Sequence, residues 1–190
     1  MPDPITRPRL LPLLLLLLLA AAYAPAGQAY ELQIIKSKQT LLVKDGGLIA
    51  RRYHIAHGKG GRGPKMRQGD NRTPTGTYRI VDFNAASRFH FFMLLDYPNL
   101  KDAVFGLENR RINHSQFEHI VDALKDGKTP PQNTSLGGMI GIHGIGAINE
   151  EKLHIHNQFN WTNGCIALTN DEILDLRKFV DIGTKVVIQE

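Results

Sequence analysis

The chain contains a single cysteine, Cys165, in a setting that suits a reactive thiol. Gly164 precedes it, the polar residues Thr162 and Asn163 come before the glycine, and an apolar stretch begins at Ile166. A thiol has a pKa of about 8.5 and needs a base before it attacks an amide carbonyl. Glycine leaves room for the incoming carbonyl, and backbone N–H groups around positions 164 and 165 could stabilise the oxyanion. The segment therefore predicts a nucleophile for acyl transfer.

Histidine is the usual base for such a cysteine. His143 lies 22 positions before Cys165, at the end of a short apolar run that has glycine at position 141 and at Gly144. These glycines let the backbone turn and leave the imidazole accessible. His154 and His156 are nearer to the cysteine in sequence and compete for the role, so spacing alone leaves the choice open.

The same side chains could instead bind a metal ion. His143, His154, His156 and Cys165 are all ligand types that zinc accepts. They lack the short paired spacings of typical zinc sites, and no acidic residue is placed as an evident fourth ligand. We therefore expect no metal and no other cofactor. Chelation separates the two classes, because a Cys–His enzyme is indifferent to it.

Residues 1–29 have the composition of a targeting segment. Arg7 and Arg9 precede an apolar run over 10–22, and small residues follow as far as Ala29. That order is typical of a secretory signal peptide, and a run of about 13 residues is short against the ~20 that span a bilayer. We expect cleavage after Ala29, with cleavage after Ala26, or retention as an anchor, as alternatives. The prediction is export to the periplasm of a Gram-negative bacterium, with no membrane span after cleavage.

Cleavage there would leave residues 30–190, enough for one domain with a hydrophobic core. This part carries 21 Lys and Arg against 17 Asp and Glu, a formal charge of +4. Such a charge suits an anionic polymer such as the cell wall. It is too small, and its basic residues too little interleaved with aromatic ones, to indicate nucleic-acid binding.

Strand patterns dominate the remaining sequence. Alternating or continuous apolar residues predict strands at 31–35, 39–44, 48–56, 77–83, 89–96, 139–143 and 185–189. Helical periodicity predicts a helix over 113–127, and a capping box at Thr169 and Glu172 predicts another that reaches about Val180. Residues 152–155 fit either irregular structure or a short helix. The glycine-rich segment 58–70 indicates a flexible surface loop. The fold class is mainly β with two or more peripheral helices.

The segments 141–144 (Gly-Ile-His-Gly) and 162–168 (Thr-Asn-Gly-Cys-Ile-Ala-Leu) resemble the signature of the L,D-transpeptidase (YkuD-like) catalytic domain. That signature is a histidine, a loop, and then Ser/Thr-His-Gly-Cys. Residues 69–78 are similar to the turn and strand where the family's substrate groove begins, and the closing helix and strand also fit. The resemblance implies that residues 30–190 form one catalytic domain, a YkuD-like β-sandwich or barrel.

The resemblance also implies roles for individual residues. Cys165 would be the acylated nucleophile and His143 its base. The backbone carbonyl of Gly144 would orient the imidazole, and Thr162 and Gly164 would shape the oxyanion region. By this reading the cysteine and the histidine face each other in an open groove, which the segments 58–70 and 99–134 flank or cover as mobile loops.

Two residues depart from the family's pattern. Asn163 stands where the common motif has a second histidine, and Ala167 where many members have an arginine or asparagine that helps to hold substrate. Asn163 can still donate a hydrogen bond, and we assign it to the oxyanion or substrate-binding region. Ala167 cannot replace a charged or amide group. The loop between His143 and Thr162 is also longer than usual, and the 113–127 helix resembles an insertion.

The resemblance implies cysteine-dependent acyl transfer on peptidoglycan stem peptides. The thiolate would attack the amide that follows meso-diaminopimelate, forming a thioester on Cys165. An amine of another stem peptide, a lysine of a wall-linked lipoprotein, or water would resolve the thioester. The alternatives are an amidase or peptidase of the same fold that hydrolyses peptidoglycan or peptidoglycan–lipoprotein linkages, and an inactive wall-binding module.

Overall fold

The computed structural model describes residues 30–190, which contain eight β-strands and four α-helices. The strands are β1 (Glu31–Ile35), β2 (Thr40–Asp45), β3 (Leu48–His54), β4 (Gly76–Asn84), β5 (Phe92–Leu95), β6 (Gly141–Gly144), β7 (Ile166–Leu168) and β8 (Lys185–Gln189). The helices are α1 (Leu100–Glu108), α2 (His114–Lys125), α3 (Glu150–Gln158) and α4 (Asn170–Leu176). The predicted class, mainly β with two or more helices, is confirmed.

The strands form one sheet in the order β3-β2-β1-β8-β4-β5-β6-β7. The predicted β1-β2-β3 meander is antiparallel. Two pairs are parallel: β1 with β8, in the middle of the sheet, and β6 with β7, at one edge. Because parallel neighbours need a long crossover, each pair joins parts of the chain that are distant in sequence.

The sheet curls until its two ends nearly meet, which makes it barrel-like. Ala56, just after β3, exchanges two backbone hydrogen bonds with Ala167 of β7, at 3.1 and 2.8 Å. One step further along, Gly58 bridges to Thr162. The curl therefore joins the chain that follows β3 to the chain that surrounds Cys165.

Apolar side chains from the strands fill the interior of the curl. The fully or nearly fully buried ones include Leu32, Ile34, Leu41, Val43, Tyr78, Ile80, Met93, Leu95, Ile142, Ile166, Val186 and Ile188. Helix α4 buries Ile173 and Leu176 and lies against β6. Burial of this apolar surface, at about 25 cal/mol per Å², is the main favourable term that holds β6 and β7 in place.

The predicted helices occur, and two further stretches are helical as well. Helix α2 matches the 113–127 prediction, and Thr169 caps α4 through its hydroxyl and Glu172, as predicted. Residues 152–155 lie within α3, whose N-cap is Asn149. Helix α1 was not predicted. It begins with an Asn99–Asp102 capping box, and exposed Leu100, Val104 and Phe105 blur its apolar periodicity.

The segment 99–134, predicted as flanking loop apart from its one helix, is therefore largely α1 and α2. Strand β5 begins at Phe92 rather than at residue 89, because His90 has φ = +75° and interrupts the extended chain. No helix within residues 30–190 is long and apolar enough to cross a membrane. The predicted signal peptide, residues 1–29, lies outside the described residues.

Candidate active site

Strands β6 and β7 bring the backbones of the two predicted catalytic residues near each other. His143 in β6 pairs with Ala167 in the parallel register of β7, and Cys165 lies two residues before Ala167, directly ahead of the strand. Because neighbouring strands are about 4.8 Å apart, the register places the backbone of Cys165 close to that of His143.

The sulfur of Cys165 donates a hydrogen bond to the carbonyl oxygen of Met139, at 3.3 Å. Met139 has φ = +54°, and its N–H donates to the side-chain oxygen of Gln132, at 2.6 Å. The amide nitrogen of Gln132 in turn donates to the carbonyl of Tyr97. In the part of the chain that the structure describes, no hydrogen bond joins the sulfur to His143, so the thiol rests on a loop carbonyl.

The imidazole of His143 is held by one hydrogen bond and three aromatic rings. Its Nδ1 lies 2.7 Å from the carbonyl oxygen of Gly144. Because a carbonyl only accepts, Nδ1 carries the proton, and Nε2 is left as an acceptor suited to a base. Phe89 stacks on the ring at 4.3 Å, with Phe92 at 6.1 Å and the edge of Trp161 at 6.0 Å. His143 is only 2 % exposed.

Burial lowers the pKa of His143 to about 4, because a charged imidazolium is poorly solvated there. The hydrogen bond to Gly144 acts in the opposite direction and raises the pKa. The charges of Lys152, His156 and Arg88 lower it further. At neutral pH the imidazole is therefore uncharged and able to accept a proton.

Cys165 is partly exposed as a residue, but its sulfur is desolvated. Burial raises the pKa of the thiol to about 11, while a backbone hydrogen bond from Gly141 and the charge of Lys65 lower it. At pH 7 the thiol of Cys165 is thus protonated and the imidazole of His143 is neutral, so neither group carries a charge.

The turn that leads into Cys165 is organised by the hydroxyl of Thr162. This hydroxyl donates to the carbonyl of Cys165 at 2.6 Å and accepts from the N–H of Gly164 at 3.2 Å. Gly164 has φ = +135°, and a Cβ there would lie 2.9 Å from the carbonyl oxygen of Arg72, so the position requires glycine. Asn163 is exposed. The oxyanion role of Gly164 and Asn163 remains a prediction.

The two competing histidines lie on α3 and differ in their surroundings. His154 is exposed. His156 is fully buried, and its Nδ1 accepts from the indole N–H of Trp161 at 3.4 Å. Since Trp161 packs edge-on against His143, His156 supports the wall around that imidazole. Within residues 30–190, no group of three or more His, Cys, Asp or Glu side chains could hold a metal ion.

The segment 58–70 contains no strand or helix and has exposed residues at 67–69, as expected of a surface loop, but Lys65 is buried and anchors its second half. The Lys65 ammonium donates to Asp70 at 2.9 Å and to the carbonyl of Arg67 at 3.0 Å. The Asp70 carboxylate also accepts backbone N–H groups from Met66, Arg67 and Arg72. The Lys65 side chain lies against Gly137, in the loop that carries the acceptor of the thiol. Glycine-rich composition alone gave no signal for this anchor.

Ala167, which stands where many family members have arginine or asparagine, lies in the interior of the sheet. Its side chain is fully buried, between His143 on one side and Ala56 on the other. The cations that act on the imidazole come from elsewhere: Arg88 precedes β5, and Lys152 belongs to α3. Neither belongs to a recognisable motif, so sequence reasoning missed both.

A sheet of this order with these two residues on β6 and before β7 is characteristic of a known class of catalytic domain. Residues 29–188 match the family model YkuD, the L,D-transpeptidase catalytic domain. The chain belongs to this family.

Individual relatives extend the comparison. The chain is 33% identical over 90 residues to the protein named "Putative L,D-transpeptidase YafK" of Escherichia coli (strain K12). The match covers 44% of the chain and 37% of YafK. Among solved structures it resembles the helical cell shape determining protein Pgp2 of Campylobacter jejuni, with 26% identity, a TM-score of 0.53, and coverage of 86% of this chain and 48% of Pgp2.

Bd1075 of Bdellovibrio bacteriovorus shares the fold, with 20% identity, a TM-score of 0.51, and coverage of 85% of this chain and 48% of that one. The chain thus spans about half the length of these two structures and just over a third of the length of YafK.

Proposed function

We propose that this protein is a cysteine acyltransferase of the bacterial cell wall, an L,D-transpeptidase that uses Cys165 as nucleophile and His143 as base. The observation that carries the proposal is the β6–β7 register. It supports the proposal by bringing the backbone of Cys165 near His143, and the Gly144 carbonyl, which binds Nδ1, leaves Nε2 free to accept a proton. Membership of the L,D-transpeptidase catalytic domain family supports the same chemistry.

The substrate in this proposal is a peptidoglycan stem peptide, cleaved at the amide after meso-diaminopimelate. As the sulfur attacks the carbonyl carbon, Nε2 of His143 takes the thiol proton, and the carbonyl oxygen becomes an oxyanion. The imidazolium then protonates the leaving amine, the C–N bond breaks, and a thioester remains on Cys165. An amine of a second stem peptide, or of a wall-linked lipoprotein, attacks the thioester and releases the cysteine.

The neutral resting pair determines how this reaction starts. With the thiol pKa at about 11 and the imidazole pKa at about 4, a standing ion pair is unfavourable at pH 7. Proton transfer therefore accompanies attack on the carbonyl and does not precede it. This limits side reactions of the sulfur while no substrate is bound.

We also propose that residues 1–29 are a signal peptide that exports the protein to the periplasm of a Gram-negative bacterium. The order of basic, apolar and small residues supports this. So does the family, because its substrate is a cell-wall polymer.

The test is mass spectrometry of muropeptides after purified peptidoglycan is incubated with residues 30–190. New cross-linked dimers that need Cys165 are the expected result. The Cys165→Ala and His143→Gln variants should fold and produce none. Products that have gained water mean that the protein is a hydrolase of the same fold. Turnover by Cys165→Ala would refute the proposed chemistry.

A further inference from the structure

Two of the three aromatic side chains that pack around the imidazole of His143 have a cationic side chain over their ring. Phe89 stacks on the imidazole at 4.3 Å, and the guanidinium carbon of Arg88 lies 4.8 Å from the centre of the Phe89 ring. On another side the edge of Trp161 contacts the imidazole at 6.0 Å, and the Lys152 ammonium lies 6.0 Å from the Trp161 ring. These four residues form the walls of the imidazole site.

The two cations come from distant parts of the sequence, and neither has a carboxylate partner among the residues that the structure describes. Arg88 lies in the connection between β4 and β5, and Lys152 lies in the first turn of α3. Within residues 30–190, neither forms a salt bridge, although other lysines and arginines there do. Arg88 is exposed and Lys152 is half-buried, so both are accessible from the solvent.

Their placement is by itself unfavourable for a base. A histidine that removes a proton becomes an imidazolium, and nearby positive charges oppose that change. Lys152 and Arg88 both act on His143 in this sense. An anion bound to both would cancel the opposing charge at the moment when the imidazolium forms. An anionic ligand at Arg88 and Lys152 would therefore favour protonation of His143.

We propose that Arg88 and Lys152 bind carboxylate groups of the acyl donor and so restrict the enzyme to peptides with free carboxylates beside the scissile amide. This inference rests on the proposed function and adds the residues that select the substrate. Ala167, which pairs with His143, brings no charge to the site, so the anchoring charge comes from the two walls. Binding and catalysis are coupled, because the groups that hold the donor also ease protonation of the base.

The experiment compares two synthetic tetrapeptide donors, one with free carboxylates and one amidated at the diaminopimelate and terminal carboxylates. The protein, residues 30–190, is used as wild type, Arg88→Gln, Lys152→Gln and the double variant. Lys128→Gln, which removes an exposed lysine paired with Asp126, is the charge-matched control. We expect kcat/KM of the free-acid donor to fall about tenfold in each single variant, because a charge-assisted hydrogen bond is lost. The amidated donor should be used poorly but equally by all forms.

The result that overturns the inference is an equal loss for both donors, or a wild-type enzyme that does not distinguish them. The proposed function is judged separately, in the same samples. Alkylation of Cys165 by iodoacetamide, and turnover that disappears in Cys165→Ala, would show that the thiol chemistry stands even if the carboxylate selection fails. If Cys165→Ala retains turnover, the proposed function fails whatever the cations do.

Discussion

The thiol proton of Cys165 points at the carbonyl of Met139, which the Gln132 side chain holds in place. Within residues 30–190 the sulfur makes no hydrogen bond to His143, the base that we propose for it. We therefore expect the side chain of Cys165 to leave the Met139 carbonyl by rotation about its Cα–Cβ bond when it attacks a substrate.

The raised pKa of Cys165 predicts an unusual pH profile for its alkylation. Below a pKa of about 11, the thiolate fraction rises about tenfold per pH unit, so the alkylation rate should climb throughout pH 7–10. An ordinary thiol, with a pKa of about 8.5, would level off near pH 9.5. Mass spectrometry after timed exposure to iodoacetamide measures this rate for the single cysteine. A plateau below pH 9 would contradict the assignment.

Thr162 holds the turn before the nucleophile, so its hydroxyl should matter more than its size. Thr162→Val keeps the shape but removes the hydrogen bonds to the Cys165 carbonyl and the Gly164 N–H. Two such bonds contribute about 1–2 kcal/mol, which corresponds to a loss of roughly tenfold in kcat/KM if the turn positions the sulfur. Thr162→Ser should retain most of the activity. Equal activity of the two variants would assign Thr162 no positioning role.

The sequence allowed candidate site residues to be predicted where they lie together in one short motif. Cys165, Gly164 and Thr162 are neighbours, and the glycine on either side of the His143 strand marked it as special. Arg88 and Lys152 could not be found in the same way. Their importance depends on a stack of side chains that only the folded chain assembles.

The ion pair of Lys65 and Asp70 fixes the segment that lies along the catalytic turn. Burial raises the pKa of the Asp70 carboxyl, but the Met66 N–H and the Lys65 ammonium lower it more, so its pKa lies below the usual value. Because the pKa of Asp70 is lower in the folded than in the unfolded state, the ionised carboxylate stabilises the fold. This stabilisation is complete above the ordinary Asp pKa of about 3.9 and is lost as the pH falls through the pKa of Asp70 in the folded state.

Asp70→Asn should destabilise the domain by about 3–5 kcal/mol, because it leaves the buried Lys65 ammonium without its counter-charge. Urea unfolding at pH 7 measures the change in the free energy of unfolding. The double variant Lys65→Met, Asp70→Asn should recover part of the loss, since no buried charge remains. A loss below about 1 kcal/mol in Asp70→Asn would mean that the pair is not buried in solution.

Helices and strands were predicted correctly where the sequence has a clear capping motif or a clear apolar pattern. Thr169 and Glu172 gave the start of α4, because a capping box is local chemistry. Helix α1 escaped prediction, since its box uses Asn99 and Asp102 and its apolar residues are partly exposed. Strand β5 begins later than predicted because His90 has a positive φ, and a histidine in the sequence does not predict that conformation.

The order and pairing of the strands in the whole sheet could not be predicted from individual residues. Alternating apolar residues identified β1 and β8 but not that they are parallel neighbours. The sequence also did not predict that Ala56 and Ala167 would close the barrel, because closure depends on the accumulated twist of eight strands. The family resemblance predicted a sandwich or barrel, which the barrel-like sheet confirms, but it did not predict these strand pairings.

The pairing of β1 with β8 also sets the order in which a growing chain can mature. Glu31 pairs with Lys185, 154 positions later, so one edge of the first strand stays open while nearly all of the domain is synthesised. Contacts of such long sequence separation form slowly, and open strand edges invite wrong partners. Newly made molecules therefore pass through a vulnerable interval that ends only when the last strand arrives, and a binder that shields this edge would protect them.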